Sequence, residues 1–504
     1  MKRFILAAVS LLLGISAHAA IYNILDYGAV ADGRQLATRA IQSAIDACGT
    51  AGGGVVYVPA GDYLVGTINL RSNVEFRFET GARLIATTDL TQYTRHSKEL
   101  DGVFYTEDCH NVSITGNGTI FGQGMEFMEA DHPKRILGDV LNYIRQGADF
   151  RKLDGGVGDG PLNPKDRFHQ MIVFSNCTDV RLSDFTCIDA PYWTFVIVHC
   201  DRVKVHALTI DNNLLIPNSD GLDIISSSNV DVSDCHFSCG DDAIVLAGYA
   251  EHFGDPGFRG IRRPSQNINV SNCILRSRSS AIRIGGWDQN PMSNYNFSNI
   301  VIYDSNCGIN MTVRDSGGLD NVCFSNIRIE TRLHSGDWWG NGEPIKISAM
   351  RGVPDNPVGM IRNIHFTNVT ASAENSMVIY SSDESAIENL TFTNFEFRMR
   401  TGAWEERAGG NFDLRPNIVQ GKELFESEIP AIYIEHARNV YFNQGVISWD
   451  RSCTFRPYHT HAIEAVRVDN LHISDTKAES SPSNPRLPLL KTRECTHVDA
   501  EFDR

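Results

Sequence analysis

The chain has 504 residues and an acidic balance, with 45 Lys and Arg against 61 Asp and Glu and a formal net charge of −16 at pH 7. This charge argues against nucleic acid as a partner, although a local cluster of Arg could still bind an anionic glycan. The twelve Cys are too dilute for a disulfide-stapled miniprotein, and no CxxC or His-rich spacing suggests zinc.

The N-terminus has the pattern of a secretory signal peptide over residues 1–19. Lys2 and Arg3 precede an apolar run from Phe4 to Ile15, and Ala17-His18-Ala19 offers small residues at a cleavage site. The run is too short to span a bilayer, and no later stretch of about 18 apolar residues could do so. We therefore expect a protein that is exported to the periplasm or secreted, with residues 20–504 as one domain.

An amphipathic helix is predicted from Gln35 to Cys48. Its apolar face carries Ala37, Ile41, Ala44, Ile45 and Cys48. We expect this helix to cap the N-terminal end of a solenoid, where exposed strand edges would otherwise pair with other chains.

From residue 111 onward, one short phrase recurs about eleven times. Three copies, NINVSNCIL, NYNFSNIVI and NVCFSNIRI, begin at residues 267, 294 and 321, which are 27 apart. Apolar and polar residues alternate in each copy, and an Asn or Asp then turns the chain, which is the pattern of short strands. Stacked coils of this kind predict an all-β protein, a single-stranded right-handed parallel β-helix, because one coil cannot bury its apolar face alone.

Many Cys occupy inward positions of these repeats, as Cys273 and Cys307 do. Buried thiols are therefore favoured over disulfides, since a free Cys packs as a small hydrophobe. Connectivity cannot be read from sequence, so Cys235 with Cys239 and Cys453 with Cys495 stay open as pairs.

Two acidic motifs stand one repeat apart in NSDGLDIISSSNVDVSDCHFSCGDDAIVLAG, residues 218–248. They place Asp220 before a Gly, and Asp241 and Asp242 after a Gly. A single Asp at a corner is usually a turn former, but three acids on neighbouring coils favour catalysis. Glycoside hydrolysis with inversion needs an acid and a base roughly 6.5–9.5 Å apart, and coils set side chains about 4.8 Å apart. Crowding also raises the pKa of one acid.

At these motifs the chain resembles the family 28 glycoside hydrolases, which include polygalacturonases and rhamnogalacturonases. The resemblance covers most of the mature chain and is sharpest at Asn218-Ser219-Asp220-Gly221 and Gly240-Asp241-Asp242. It implies that Asp241 is the general acid and that Asp220 and Asp242 position and deprotonate the water. Asn218 is then expected beside them in substrate binding.

The chain departs from this family where basic groups are expected. The coil that carries Gly-His-Gly in polygalacturonases reads RSRSSAIRIGGW here, with Ser279 or Ser280 in place of the His. The Arg-Ile-Lys that binds a uronate carboxylate aligns with Asn310-Met311-Thr312, and a Lys common after the acidic pair is Ala247.

Two explanations of these departures stay open. Alternation with Ile282 and Ile284 inward places Arg283 on the groove side, and the same reasoning applies to Arg314. These two Arg could hold a carboxylate or sulfate in a relocated subsite. Alternatively, the sugar is neutral there and the Arg pack against loops. We favour a substrate other than plain homogalacturonan.

Two loops are candidates for the walls of the cleft. SGDWWGNGEPIKIS, residues 335–348, carries Trp338 and Trp339, which could stack on sugar rings or plug the loop, and Glu343 as a possible fourth acid. The insertion at residues 250–263 is expected to form a second wall.

Three classes of function fit this reading. An inverting hydrolase of a pectin-like or other plant or algal polysaccharide is favoured. A lyase or epimerase would want a Ca²⁺ site and a basic residue that abstracts a proton, and the sequence shows no acidic cluster with an obvious basic partner of that kind. A non-catalytic glycan-binding protein is disfavoured by the intact acids. The expected partner is a polysaccharide or oligosaccharide, with no nucleic acid, membrane insertion, metal or cofactor, and the chain is expected to be monomeric.

Overall fold

The computed structural model describes residues 20–131, 160–252, 254–334, 338–403, 411–422 and 424–503. The predicted signal peptide lies outside these residues. The described chain winds into a parallel β-helix, as the repeats predict, because strands from successive coils pair in parallel and in register. Two large stacks of strands form its faces.

One stack, here called the groove sheet, has 12 strands. They are Phe104–Glu107, Ile172–Ser175, Phe195–Val198, Leu222–Ile225, Ile244–Ala247, Ser280–Ile284, Cys307–Val313, Ile345–Ala349, Met377–Ser381, Ile432–Glu435, Ile463–Val466 and Leu490–Arg493. Its inward positions are apolar, and the register aligns Leu222 with Ile244 and Ile244 with Ile282. The opposite face of this sheet is therefore the one free to carry functional side chains.

The second stack has 23 strands that turn the corners of the coils. They are Ile21–Asn23, Asp32–Leu36, Gly54–Val58, Gly61–Val65, Val74–Phe78, Ala82–Ala86, His110–Thr115, Thr119–Phe121, Thr178–Ser183, Thr186–Ile188, Asp201–His206, Thr209–Asp211, Ser228–Ser233, His236–Cys239, Ser265–Ser271, Ile274–Ser277, Met292–Ser305, Leu319–Thr331, Ile361–Ala373, Ile387–Met399, Ala437–Trp449, Asp469–Ala478 and Thr496–Asp503. Asn411–Asp413 and Leu424–Glu426 form an antiparallel pair outside both stacks. Short 3-10 turns occupy Ile24–Tyr27, Leu90–Gln92, Gly124–Phe127 and Arg451–Cys453.

The Asn residues of the repeat form ladders at the corners. Asn267, Asn294 and Asn321 have φ of 57°, 59° and 59°, in the left-handed region that Asn tolerates. The amide of Asn294 donates to Asn267 at 3.1 Å, and that of Asn321 donates to Asn294 at 2.9 Å. Each Asn thus turns its own coil and ties it to the one before.

Stacked side chains fill the core between the sheets. Rings of Phe297, Phe324, Phe366, Phe392 and Phe442 form a column with centroids 4.6 to 4.9 Å apart. This distance is that between paired strands, so each coil places one ring on the ring of its neighbour.

The Cys side chains also pack as apolar groups. All twelve are free thiols, and ten of them are buried, with Cys323 and Cys495 half-buried. The structure therefore favours buried thiols, and neither Cys235 with Cys239 nor Cys453 with Cys495 forms a disulfide.

The α-helix spans Thr38–Thr50, so its predicted start at Gln35 is wrong by three residues. Gln35 instead belongs to the strand Asp32–Leu36, whose Leu36 pairs with Leu64. The predicted apolar face is correct, because Ile41, Ala44 and Ile45 are fully buried, as are Ala37 and Cys48. None of the described helices is long and apolar enough to cross a bilayer.

Candidate active site

The acidic motifs occupy equivalent positions on neighbouring coils. Leu222 pairs with Ile244, and Ile244 pairs with Ile282. Counting two residues back along each strand places Asp220, Asp242 and Ser280 in one row, on three successive coils. Backbone N–H groups confirm the alignment, since Gly221 donates to the Asp242 carbonyl at 2.9 Å. The repeat itself therefore brings the two motifs together.

Glycine is required beside each acid because the coils approach closely. A Cβ at Gly240 would lie 2.4 Å from Oγ of Ser219, and a Cβ at Gly221 would lie 2.4 Å from the Ala243 carbonyl oxygen. The Ser219 hydroxyl also accepts a hydrogen bond from the Gly240 N–H at 3.1 Å. Close backbone contact thus fixes the relative positions of the two turns that carry the acids.

Asp220, Asp241 and Asp242 form a buried carboxylate cluster. They are 3%, 4% and 2% exposed, and one oxygen of each lies within 4.8 Å of an oxygen of the other two. This is closer than the roughly 6.5–9.5 Å that the sequence argument assigned to an acid and a base. The separation alone therefore does not establish inversion.

Burial and the neighbouring acids favour a proton within this cluster. Burial first, and then the charges of Asp241, Asp223 and Asp242, raise the pKa of Asp220 well above its usual range. Oδ1 of Asp220 is buried and has no hydrogen-bond partner. Because like charges at this distance cannot all ionise, a proton is retained in the cluster near neutral pH.

Asp242 has a different environment, built from charge and backbone donors. Its Oδ2 accepts from Nη1 of Arg283 at 3.2 Å, and its Oδ1 accepts from the N–H of Ser280 at 2.8 Å. Arg283 also donates to the hydroxyl of Tyr249 at 3.2 Å. The cluster therefore combines a proton-retaining acid with a carboxylate that is paired with a guanidinium.

The cluster opens into a pocket with a cavity volume of about 180 Å³. The pocket is lined by Tyr192, Trp193, Asn218, Asp220, Asp241, Asp242, His252, Ser279, Ser280, Arg283, Trp287, Asn310, Thr312, Trp339, Arg415 and Pro416. Of the predicted site residues, the three Asp, Asn218, Arg283, Asn310 and Trp339 therefore line one pocket.

Two polar residues that the sequence analysis predicted, Asn218 and Asn310, line the pocket and are held by hydrogen bonds. Asn218, at φ 56°, accepts at Oδ1 from Nη2 of Arg167 at 3.3 Å. Asn310 donates to Oγ of Ser280 at 3.2 Å, while its own Oδ1 is buried without a partner. Ser280 and Asn310, which are uncharged, thus occupy places where the family's imidazole and basic groups were expected.

Arg314 lies elsewhere, which corrects its predicted place in the groove. It is fully buried and does not line the pocket. Its guanidinium donates to the carbonyls of Pro416, Val313, Ser348 and Leu414 and to Oγ of Ser348, at 2.6 to 3.1 Å. The segment around residue 415 folds over Arg314. Strand alternation predicted the face of the sheet on which Arg314 lies, but it could not predict that a distant segment would bury the side chain.

Trp338 and Glu343 are also buried away from the pocket. Trp338 is 1% exposed, and its ring packs closely against Gly160, where a Cβ would lie 2.7 Å from it. Glu343 accepts from the N–H of Asn341 at 2.5 Å, and burial raises its pKa to about 7. Neither of them lines the pocket, whereas Trp339 does.

Sequence reasoning missed several pocket residues. Arg415 is held by two hydrogen bonds to the carboxylate of Asp413, at 2.9 and 2.8 Å, and its guanidinium lies 5.4 Å from the Trp339 ring centroid. Tyr192 and Trp193 stand in the segment DAPYWTF, whose adjacent aromatics were a usable signal. Arg415, Trp287 and His252 come from loops, where no periodicity indicates direction.

Three carboxylates at this spacing could also hold a divalent cation, since oxygen ligands suit Ca²⁺ and Mg²⁺. The guanidinium of Arg283 already supplies positive charge to Asp242. Acidic clusters occur without metals, so the arrangement is equally consistent with acid and base chemistry.

A parallel β-helix that presents a carboxylate cluster in a pocket with aromatic walls defines a class of carbohydrate-active protein. Residues 48–405 match the sequence model of glycosyl hydrolases family 28, and the chain belongs to this family.

Known relatives agree with this assignment. A probable polygalacturonase of Vitis vinifera is 27% identical over 257 residues, covering 48% of this chain and 47% of that protein. An exopolygalacturonase of Zea mays is 22% identical over 285 residues, covering 53% of this chain and 62% of that protein. The match therefore spans about half of the length of these curated relatives.

A solved structure supports the fold. The family 28 exopolygalacturonase of Yersinia enterocolitica superposes with a TM-score of 0.65 at 18% identity, covering 96% of this chain and 79% of that one. The chain therefore has the fold of a right-handed parallel β-helix.

Proposed function

We propose that this protein hydrolyses glycosidic bonds in a pectin-like or related plant or algal polysaccharide, with inversion and with the three Asp as its acid and base. The observation that carries the proposal is the carboxylate cluster, with oxygens within 4.8 Å, in a pocket that also holds Arg283. Polygalacturonase-like relatives support a pectic substrate.

In the proposed reaction, Asp241 protonates the glycosidic oxygen of the leaving sugar, as the resemblance implies. A water molecule attacks the anomeric carbon and gives a proton to Asp242, whose partner is Arg283. Asp220 orients this water through a hydrogen bond, and the one proton that the coupled cluster retains is the proton that Asp241 transfers. The bond from the anomeric carbon to the leaving oxygen breaks as the bond to water forms.

Two guanidinium groups in the pocket, each paired with an Asp, support an anionic sugar. Arg283 and Arg415 both line the pocket, and Arg is the side chain that best matches a carboxylate. They stand at positions other than Asn310-Met311-Thr312, where the family's carboxylate-binding group aligns. We propose that the pocket takes a uronate-containing chain in an arrangement different from that of plain homogalacturonan.

Purified protein should be tested on polygalacturonate, rhamnogalacturonan and xylogalacturonan, with masses of the products. Hydrolysis adds one water per cleaved bond, whereas a lyase yields an unsaturated product that absorbs in the ultraviolet. A lyase would also lose activity when a chelator is added. No cleavage of any pectic polymer would refute the proposal.

Stereochemistry is tested separately by proton NMR of the fresh hydrolysate. The carboxylate spacing is also close to the roughly 5–5.5 Å of retaining enzymes, so this measurement decides between inversion and retention of the anomeric configuration. We expect the inverted anomer first. A retained anomer, or a glycosyl adduct on Asp220 or Asp242, would overturn the assigned roles.

We also propose export, on the basis of residues 1–19. Lys2, Arg3 and the apolar run support it. Fractionation of the producing cells, with mass spectrometry of the mature N-terminus, tests this. Protein retained in the cytoplasm with residues 1–19 intact would contradict export.

A further inference from the structure

The insertion predicted as a cleft wall is a well-anchored loop that brings an imidazole to the pocket. Its ends meet where the N–H of Gly260 donates to the Ala250 carbonyl at 3.0 Å. The middle of the loop is bound to the groove sheet, where Oγ of Ser175 donates to the Gly257 carbonyl at 2.7 Å. The described part of this loop therefore holds His252, which lines the pocket, in place before any ligand binds.

A buried carboxylate, Asp255, fixes the ring of His252. Asp255 is 3% exposed, and its Oδ2 lies 2.6 Å from Nδ1 of His252. Its other oxygen lies 2.9 Å from Nδ1 of His169. Burial raises the pKa of Asp255, but the hydrogen bonds from His169 and His252 outweigh it and hold this pKa below the usual value. The ionised carboxylate only accepts, so both Nδ1 atoms carry the hydrogen.

The two imidazoles have different surroundings. The ring of His252 lies among aromatic rings, with centroids 5.0 Å from Trp193 and 5.1 Å from Tyr249. The ring of His169 stacks on Tyr192 at 4.5 Å and lies outside the pocket, in a neighbouring depression. Asp255 thus orients one imidazole that faces the pocket and one that does not.

We propose that His252 contacts the bound sugar chain in this pocket, through its ring edge at Nε2, and that Asp255 is its positioning residue. The contact would be a hydrogen bond with a sugar hydroxyl of the same pectic substrate, so the inference rests on the proposed function. His252 would thus bring an imidazole to the pocket from a loop. The coil on which polygalacturonases carry a His has Ser279 and Ser280 in this chain.

Replacement of each His by Asn separates contact from support. An Asn amide can still donate to Asp255 from near the position of Nδ1, but it is too short to reach the position of Nε2. The matched control is His169→Asn, which makes the same change at the same carboxylate outside the pocket. Both are introduced into Asp241→Asn protein, and binding of trigalacturonate and a rhamnogalacturonan hexasaccharide is measured by calorimetry.

We expect His252→Asn to weaken binding about five- to tenfold, the effect of one lost hydrogen bond, and His169→Asn to change it less than twofold. Equal binding by His252→Asn and its parent, or an equal loss in both variants, would overturn the contact. An Asp255→Asn variant should reproduce part of the His252→Asn loss. If the parent binds neither probe and wild-type protein cleaves no pectic polymer, the proposed function itself fails. If the parent binds and only the His252 result is negative, the failure belongs to this inference alone.

Discussion

Nη1 of Arg283 lies 3.2 Å from Oδ2 of Asp242, and both residues line the pocket that holds Asp220. The positive charge of Arg283 also acts against the burial and acidic neighbours that raise the pKa of Asp220. The proposed reaction needs the proton that the carboxylate cluster retains, so activity should fall as pH rises through the pKa of that proton.

Arg283→Gln removes this cation, so the pKa of Asp220 should rise further. The alkaline limb of kcat/KM against pH should move to higher pH, and KM for an anionic substrate should increase. Arg362→Gln, which breaks an exposed pair with Asp320, is the control. An unchanged alkaline limb in Arg283→Gln would contradict the coupling between Arg283 and the cluster.

Asp241→Asn should reduce kcat on the order of 10² to 10⁴-fold, because general acid catalysis contributes about this much. Its circular dichroism spectrum and unfolding midpoint should stay close to wild type. Asp211→Asn, an exposed carboxylate on a neighbouring strand, should leave kcat unchanged. Near-normal turnover by Asp241→Asn would refute its role as the acid.

Arg415→Gln should raise KM for uronate oligosaccharides and leave binding of a neutral sugar unaffected. The guanidinium is already oriented by Asp413, so a bound carboxylate would pay little for ordering it. In wild-type protein, KM for the anionic substrate should increase with ionic strength, because salt screens the attraction. Salt-independent KM in both proteins would instead favour a neutral sugar beside Arg415.

Arg314→Lys should destabilise the protein by about 3 kcal/mol, because a Lys ammonium cannot satisfy the buried acceptors that the guanidinium binds. Two of these acceptors are the carbonyls of Leu414 and Pro416, on either side of Arg415. Urea unfolding measures the loss. We expect any rise in KM to keep its wild-type salt dependence, whereas a loss of that dependence would show that Arg314 itself meets the substrate.

Acid should weaken the fold partly through His199. This residue is fully buried, and burial, followed by the charges of Arg263 and Arg259, lowers its pKa to about 4 from 6.5. The unfolded chain binds the proton more readily, so the stabilising contribution is complete above pH 6.5 and declines as pH falls toward 4. Urea midpoints of His199→Gln should therefore fall less than those of wild type between pH 7 and pH 4. Parallel declines would exclude His199 as a source of acid sensitivity.

The coils and the carboxylate cluster were predictable because both follow from the repeat. Asn at fixed intervals marks each corner, and equal spacing from a strand places Asp220 and Asp242 in one row. Alternation likewise separates Arg283 from its inward neighbours Ile282 and Ile284.

What covers a side chain was not predictable, because it depends on segments far away in sequence. Arg314 is buried by residues about 100 positions later, and the guanidinium beside Trp339 comes from that same segment. The closest approach of the acid oxygens, within 4.8 Å, was not predictable for a related reason, since the spacing of coils fixes the backbone but not where each carboxylate points. Loop residues such as His252 carry no periodic signal at all.

The column of Phe rings, with one ring for each of five successive coils, has a consequence for how such chains change length during evolution. Losing or duplicating one complete coil would leave a ring of the same kind above and below the junction, at the same distance. A gain or loss of one or two residues within a strand would instead shift the ring or Asn of that coil out of its stack, whereas the loops between strands absorb changes in length. Because the acids occupy only two neighbouring coils, relatives can differ by whole turns at either end and still keep the same chemistry between them.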